Sequence, residues 1–258
     1  MVAIKAMHAK VYSRLQEENG IDEAGAMELC QDSDRIVNLV EMFKLDGWVF
    51  IVSKYASGGD LLRYCLQHSD GASDKAWLSE DRIHHIFSQI AHGIHDMHKI
   101  GLTHRDLKLI NIFLSDDSRK PRIKIGDLGL AASLKPGEEL IKRAGTKAFM
   151  APEIILNQPA VFSSDIYSLG VILYTMIATH LPFSNGFYAE GNEKKLLEQE
   201  VSFPSKAFAT VDTTCIDLIR AMLVKDPNGR LSIEGVLAHP WVSSTFIAET
   251  DSRMDKIK

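Results

Sequence analysis

The sequence predicts an α+β chain in two lobes: a small lobe of β-strands with one helix, followed by a larger, mainly helical lobe. Over residues 1–55, β-branched segments (Ile36-Val37 and Val49-Phe50-Ile51-Val52) accompany a single helical candidate. From about Leu61 onward the signals are helical. Ile166 to Ala178 is apolar nearly all round, the pattern of a helix buried in a large core rather than one lying on its surface.

In chain order, Ser57-Gly58-Gly59-Asp60 separates the two compositions and is the natural lobe boundary. Ser79 then stands where it can cap a helix with an acidic first turn, Glu80 and Asp81. Its apolar stripe is Ile83, Phe87, Ile90, Ile94 and Met97, and Gly101 stops it. The resulting division is a small lobe at 1–56, a helical lobe at 57–246 and a charged, fraying tail at 247–258.

Composition narrows the function classes. With 258 residues, 45% of them hydrophobic and 24% charged, the chain can bury a sizeable core. A formal net charge of −5, with no basic cluster denser than the run Ser118 to Lys124, gives no nucleic-acid footprint. That run reads as the solvated flank of a hairpin. Cys30, Cys65 and Cys215 are far apart and odd in number, which argues against a disulfide framework and for a reducing compartment. No uncharged apolar run approaches the roughly 18 residues of a membrane span, and there is no signal-peptide core. The expectation is a soluble, intracellular protein, cytoplasmic or nuclear. His85, His92 and His95 share one stripe of the capped helix and read as a solvated face, because no cysteine or carboxylate completes a zinc ligand set.

The chemistry is concentrated in His104-Arg105-Asp106-Leu107-Lys108-Leu109-Ile110-Asn111, followed by Asp127-Leu128-Gly129. These stretches offer a candidate base, a phosphate-reaching cation and two hard oxygen ligands suited to magnesium. Phosphoryl transfer asks a protein for positioning and charge neutralisation, and such residues provide both. The chain resembles the eukaryotic protein kinase family, whose signature reads H-R-D-L-x-x-x-N and then D-F-G. Val2-Ala3-Ile4-Lys5 matches V-A-I-K and Ala151-Pro152-Glu153 matches A-P-E, in the family's order, so the resemblance runs from residue 2 to about Trp241.

The resemblance implies a protein-kinase-like fold and transfer of the γ-phosphoryl group of ATP, with Mg2+, to the hydroxyl of a protein substrate by a monomeric catalytic domain. It implies Asp106 as the base; the bland alternative is a turn aspartate capping its own loop. Lys108 sits where serine/threonine kinases carry a lysine that reaches the γ-phosphate, which favours serine or threonine acceptors. Asn111 and Asp127 would hold the metal, and Lys5 would contact the α- and β-phosphates and pair with a helix glutamate. Glu23 lies 18 residues after Lys5, in the family's usual interval, with Glu28 as the runner-up. Ala3 and Phe113 would contact the adenine. Counting back from Gly58-Gly59, Ser53 falls at the gatekeeper position, Lys54 to Ala56 form the hinge and Asp60 is placed to reach the ribose; otherwise Ser53 is simply a polar residue ending a strand. Glu153 and Arg230 resemble a buried ion pair, Asp165 an anchor for the catalytic loop, and Thr146 a threonine lying against the base and lysine.

Three departures qualify the resemblance. Leu128 replaces the phenylalanine of D-F-G, as in some NIMA-related kinases, and still supplies an apolar plug. The stretch Leu231 to Trp241, ending His239-Pro240-Trp241, looks as much like calmodulin-dependent or polo-type kinases. The glycine-rich loop expected ahead of the lysine strand has no counterpart, since only four residues stand before Lys5. Either the natural chain is longer or the first two strands are lacking, and in the latter case a pseudokinase or scaffold is the rival reading. A small-molecule phosphotransferase is disfavoured by Ala151-Pro152-Glu153 and the long activation segment. Between Asp127 and Gly145 the only hydroxyl is Ser133, too near the metal ligand to be the usual phosphorylated switch. Glu138 and Glu139 offer fixed charge that could partner Arg105 without modification; the alternative is a solvated turn after Pro136-Gly137.

Overall fold

The structure, a computed structural model, describes residues 1–69, 77–134, 144–159, 161–183 and 198–244. In the small lobe an antiparallel sheet of order β1-β3-β2 is built from β1 (Val2–His8), β2 (Leu39–Leu45) and β3 (Trp48–Lys54). Its register sets Ala3 beside Ser53 and Lys5 beside Ile51. Because side chains alternate, Ala3 and Lys5 share one face with Ser53 and Ile51, while Ile4, 61% exposed, points to the other.

The single helix expected here is two. α1 (Ala9–Asn19) ends at Gly20, whose φ of 71° is the left-handed conformation that closes helices. The chain restarts as α2 (Glu23–Leu29), where the Asp22 carboxylate accepts the N–H of Gly25 at 2.8 Å. The residues that break the helix thus also place Glu23 at the first position of a capped one. α2 buries Glu23, Ala24, Ala26 and Met27, and Met27 joins Ile51 in the core.

In the large lobe, α3 (Leu61–Gln67) is capped by Asp60 and α4 (Glu80–Lys99) buries all five residues of the expected stripe. β5 (Leu102–Thr103) precedes the catalytic loop. β6 (Ile112–Leu114) and β7 (Ile123–Ile125) form a hairpin extended by β4 (Gly59–Asp60), and β8 (Ala132–Ser133) pairs with β5. The basic run lies in the β6–β7 turn, as its composition suggests. After α5 (Pro152–Ile155), the central α6 (Phe162–Ala178) is buried from Ser164 to Ala178. α7 (Ser205–Phe208), α8 (Thr213–Met222), α9 (Ile233–Ala238) and α10 (Pro240–Ser243) complete the lobe. The three cysteines are buried and free.

The lobes are stitched together by backbone. Val37 N–H donates to the Ile125 carbonyl at 2.8 Å and Ile125 N–H to the Arg35 carbonyl at 2.7 Å. The segment that follows α2 is thereby tied to β7, two residues before Asp127. The tail at 247–258 lies outside the described residues.

Candidate active site

Three charges meet where the lobes face each other. Lys5 Nζ donates to both carboxylate oxygens of Glu23, at 3.0 and 2.8 Å, and to Asp127 Oδ1 at 2.6 Å. Of the two glutamate candidates the structure brings Glu23 to the lysine. Burial opposes charge on Lys5, but the two carboxylates outweigh it and hold the ammonium above its ordinary range. Burial would likewise raise the Asp127 carboxyl, yet Lys5, with smaller contributions from His104 and Lys108, brings it below the usual value. Asp127 adopts φ 58°, ψ 60°, a left-handed conformation uncommon for a residue with a side chain. Leu128 behind it is fully buried, which fits the expected apolar plug.

The second cluster is built on the catalytic loop. Thr146 Oγ1 donates to Asp106 Oδ1 at 2.8 Å, while Lys108 Nζ donates to Asp106 Oδ2 at 2.7 Å and to Thr146 Oγ1 at 2.8 Å. Asn111 Nδ2 donates to the Asp106 carbonyl at 2.9 Å and to Asp106 Oδ2 at 3.2 Å. With its nitrogen committed to two oxygens, the amide orientation of Asn111 is fixed, and Oδ1 is the atom it can offer elsewhere. Three donors on one carboxylate lock the Asp106 side chain, and Oδ1, which accepts only from Thr146, keeps acceptor capacity for a further proton.

The loop is held from behind by Asp165 on α6. Its Oδ2 accepts Thr103 Oγ1 at 2.8 Å, the His104 N–H at 2.9 Å and a hydrogen bond with His98 Nε2 at 2.9 Å. Oδ1 accepts the Arg105 N–H at 2.9 Å. Glu153 and Arg230 meet as expected, in a two-pronged pair at 2.8 and 2.9 Å. Arg230 is further satisfied by the carbonyls of Val224, Ser163 and Lys225, so the buried cation is fully paired.

Between the lobes lies a cleft of about 420 Å³. Ala3, Lys5, Glu23, Ser53, Lys54, Tyr55, Ala56, Asn111, Phe113 and Asp127 line it, together with Met27 and Val37, which sequence reasoning did not assign to the site. Asp60 is not in that lining: Oδ1 accepts the Arg63 N–H at 2.9 Å as the cap of α3. Lys108 also stands outside it, beside Asp106 and Thr146. The donor set suits hard cations and phosphate, with an ammonium on one wall and a carboxylate and an amide oxygen opposite. Glu138 and Glu139 lie outside the described residues. Arg105 Nη1 donates to Asn19 Oδ1 at 2.9 Å and to the Leu130 carbonyl at 3.3 Å.

This fold is that of the family the chain belongs to, the protein kinases: the protein kinase domain matches residues 1–242. It is 32% identical over 229 residues to serine/threonine-protein kinase 17A of Oryctolagus cuniculus, a match covering 89% of this chain and 56% of that protein. It is also 32% identical over 245 residues to the SNF-related serine/threonine-protein kinase of Rattus norvegicus, covering 93% of this chain and 31% of the relative. To serine/threonine-protein kinase ATG1a of Arabidopsis thaliana it is 30% identical over 238 residues, covering 92% and 37%. The chain thus spans between about a third and just over half the length of these relatives. No helix among the described residues is long and apolar enough to cross a membrane.

Proposed function

We propose that this chain is a serine/threonine protein kinase that transfers the γ-phosphoryl group of ATP to protein hydroxyls with magnesium. The observation that carries the reading is the network joining Asp106, Lys108 and Thr146, set beside a cleft lined by Lys5, Asn111 and Asp127. In this reading the lobes divide at 1–56 and 57–246, with the nucleotide between them. Ala3 and Phe113 contact the adenine, Lys54 to Ala56 form the hinge, Ser53 closes the back of the cleft and Asp60 serves the ribose edge. Lys5, steadied by Glu23, contacts phosphate oxygens.

Asn111 Oδ1 and the Asp127 carboxylate would hold magnesium. When bound, the metal neutralises charge on the phosphates. Asp106 orients the acceptor hydroxyl and receives its proton at a carboxylate oxygen. Lys108, already bonded to Asp106, is placed to offset charge where the acceptor and phosphate meet. The serine/threonine names of the relatives, together with Lys108 and Thr146 against Asp106, support a serine or threonine acceptor.

The test is transfer of labelled phosphate from magnesium-ATP to a generic serine/threonine protein. Asp106→Ala is expected to lower the rate by on the order of a hundredfold or more with the circular-dichroism spectrum and nucleotide affinity kept. A wild-type chain that neither binds magnesium-ATP nor transfers phosphate would instead be a binding module of the same fold.

A further inference from the structure

Asn19 ends α1 and is 3% exposed, a depth at which a side-chain amide is stable only when its polar atoms are used. Its Oδ1 accepts from Arg105 Nη1 at 2.9 Å, and its Nδ2 reaches the Gly129 carbonyl at 3.5 Å. The guanidinium can only donate, so it must face the amide oxygen, and the nitrogen is left for Gly129. Each of these contacts lands next to a residue of the site. Asn19 stands four positions before Glu23, Arg105 immediately precedes Asp106, and Gly129 lies two after Asp127. The same Nη1 also donates to the Leu130 carbonyl at 3.3 Å, and the Arg105 N–H is held by Asp165. One buried amide therefore touches both the loop that carries Asp106 and the segment that follows Asp127.

We propose that Asn19 is a positioning residue that couples the Glu23-bearing helix to the catalytic loop and to the segment after Asp127. The Lys5–Glu23 pair and the orientation of Asp106 are then set together. Gly20 completes the device: a left-handed residue directly after Asn19 turns the chain into α2, so displacement at Asn19 is passed to Glu23 through only three intervening residues. The inference rests on the phosphotransfer reading for its kinetic consequence, though not for its structural one.

Two substitutions separate positioning from mere packing. Asn19→Leu keeps the branching at Cγ and removes both polar functions; Asn19→Asp keeps an acceptor for Arg105 and loses the donor to Gly129. With the full chain and magnesium-ATP, Asn19→Leu is expected to lower kcat/KM by on the order of tenfold to a hundredfold, the loss of one hydrogen bond to a charged group. Asn19→Asp is expected to recover most of that loss. Hydrogen exchange is expected to rise in Asn19→Leu in residues 23–29 and 128–134 together, and to stay near wild type in Asn19→Asp. Should Asn19→Leu not fold, Asn19→Ala takes its place against Asn19→Asp with the same outcomes. Unchanged kcat/KM in the apolar variant, or an equal fall in Asn19→Asp, would overturn the proposal. If the wild-type chain transfers no phosphate, the phosphotransfer reading fails by itself, and the exchange result alone decides: no joint rise in the two segments would overturn the coupling.

Discussion

Asp165 is a single carboxylate that organises a whole loop. Burial alone would lift its carboxyl, but the hydrogen bond to His98, the proximity of His98 and His104, and the Arg105 N–H outweigh burial and hold it at about 2. A depressed carboxyl contributes stability that is present above its unfolded value, about 3.9, and is lost as pH falls through the folded one. Asp165→Asn is therefore expected to cost at least on the order of 2 kcal/mol at neutral pH. The gap to wild type should narrow between about pH 4 and pH 2. Urea midpoints for both proteins across that range check this; a gap independent of pH would mean that the carboxylate charge is not what holds the loop. Sequence could place Asp165 only through family likeness, and it offered no hint of His98 or Thr103. Both look like ordinary ends of a helix and a strand until the fold brings them to α6. Asn19 was hidden for the same reason: it is an ordinary polar residue of a helical segment, and its partner is 86 residues away.

At the scale of elements, the segment carrying Thr146 touches the catalytic loop so closely that one position excludes a side chain. Gly145 has φ 108°, and a Cβ there would come within 2.3 Å of the Arg105 carbonyl oxygen. Neither atom can yield cheaply, since both belong to backbone. Gly145→Ala is expected to push Thr146 away from Asp106 and to lower kcat by on the order of a hundredfold, the effect of a misplacement of about 1 Å. Thermal unfolding should shift little, because α5 stays anchored through Glu153 and Arg230. Wild-type kcat in this variant would show that Thr146 need not sit where it does. The long periodic elements were the readable ones: α4 and α6 announce themselves by apolar spacing, and the hairpin around the basic run by its flanks. The break between α1 and α2 was not. Gly20 and Gly25 look like costs inside one helix, whereas in the fold Gly20 ends a helix and the Gly25 N–H is satisfied by Asp22.

For the whole molecule, two lobes of different composition supply halves of one site, and the backbone bonds of Arg35 and Val37 to Ile125 fix their spacing. Lys5 and Glu23 come from the small lobe, Asp127, Asn111 and Asp106 from the large one, and the cleft lies between. That there are two such lobes was legible from the change of composition along the chain and from the order of the motifs. The depth of the cleft was not, because Met27 and Val37 reach it only through the seating of α2 and the turn after it. If the halves act as a unit, their losses cannot multiply. The most direct measurement is labelled-phosphate transfer from magnesium-ATP to a serine/threonine protein by the wild type, Lys5→Met, Asp106→Asn and the double variant. The expected result is transfer by the wild type, a fall on the order of a hundredfold or more in each single variant, and a double variant no slower than the slower single. No transfer by a folded wild type, or two losses that multiply in the double variant, would contradict a single phosphotransfer site shared between the lobes.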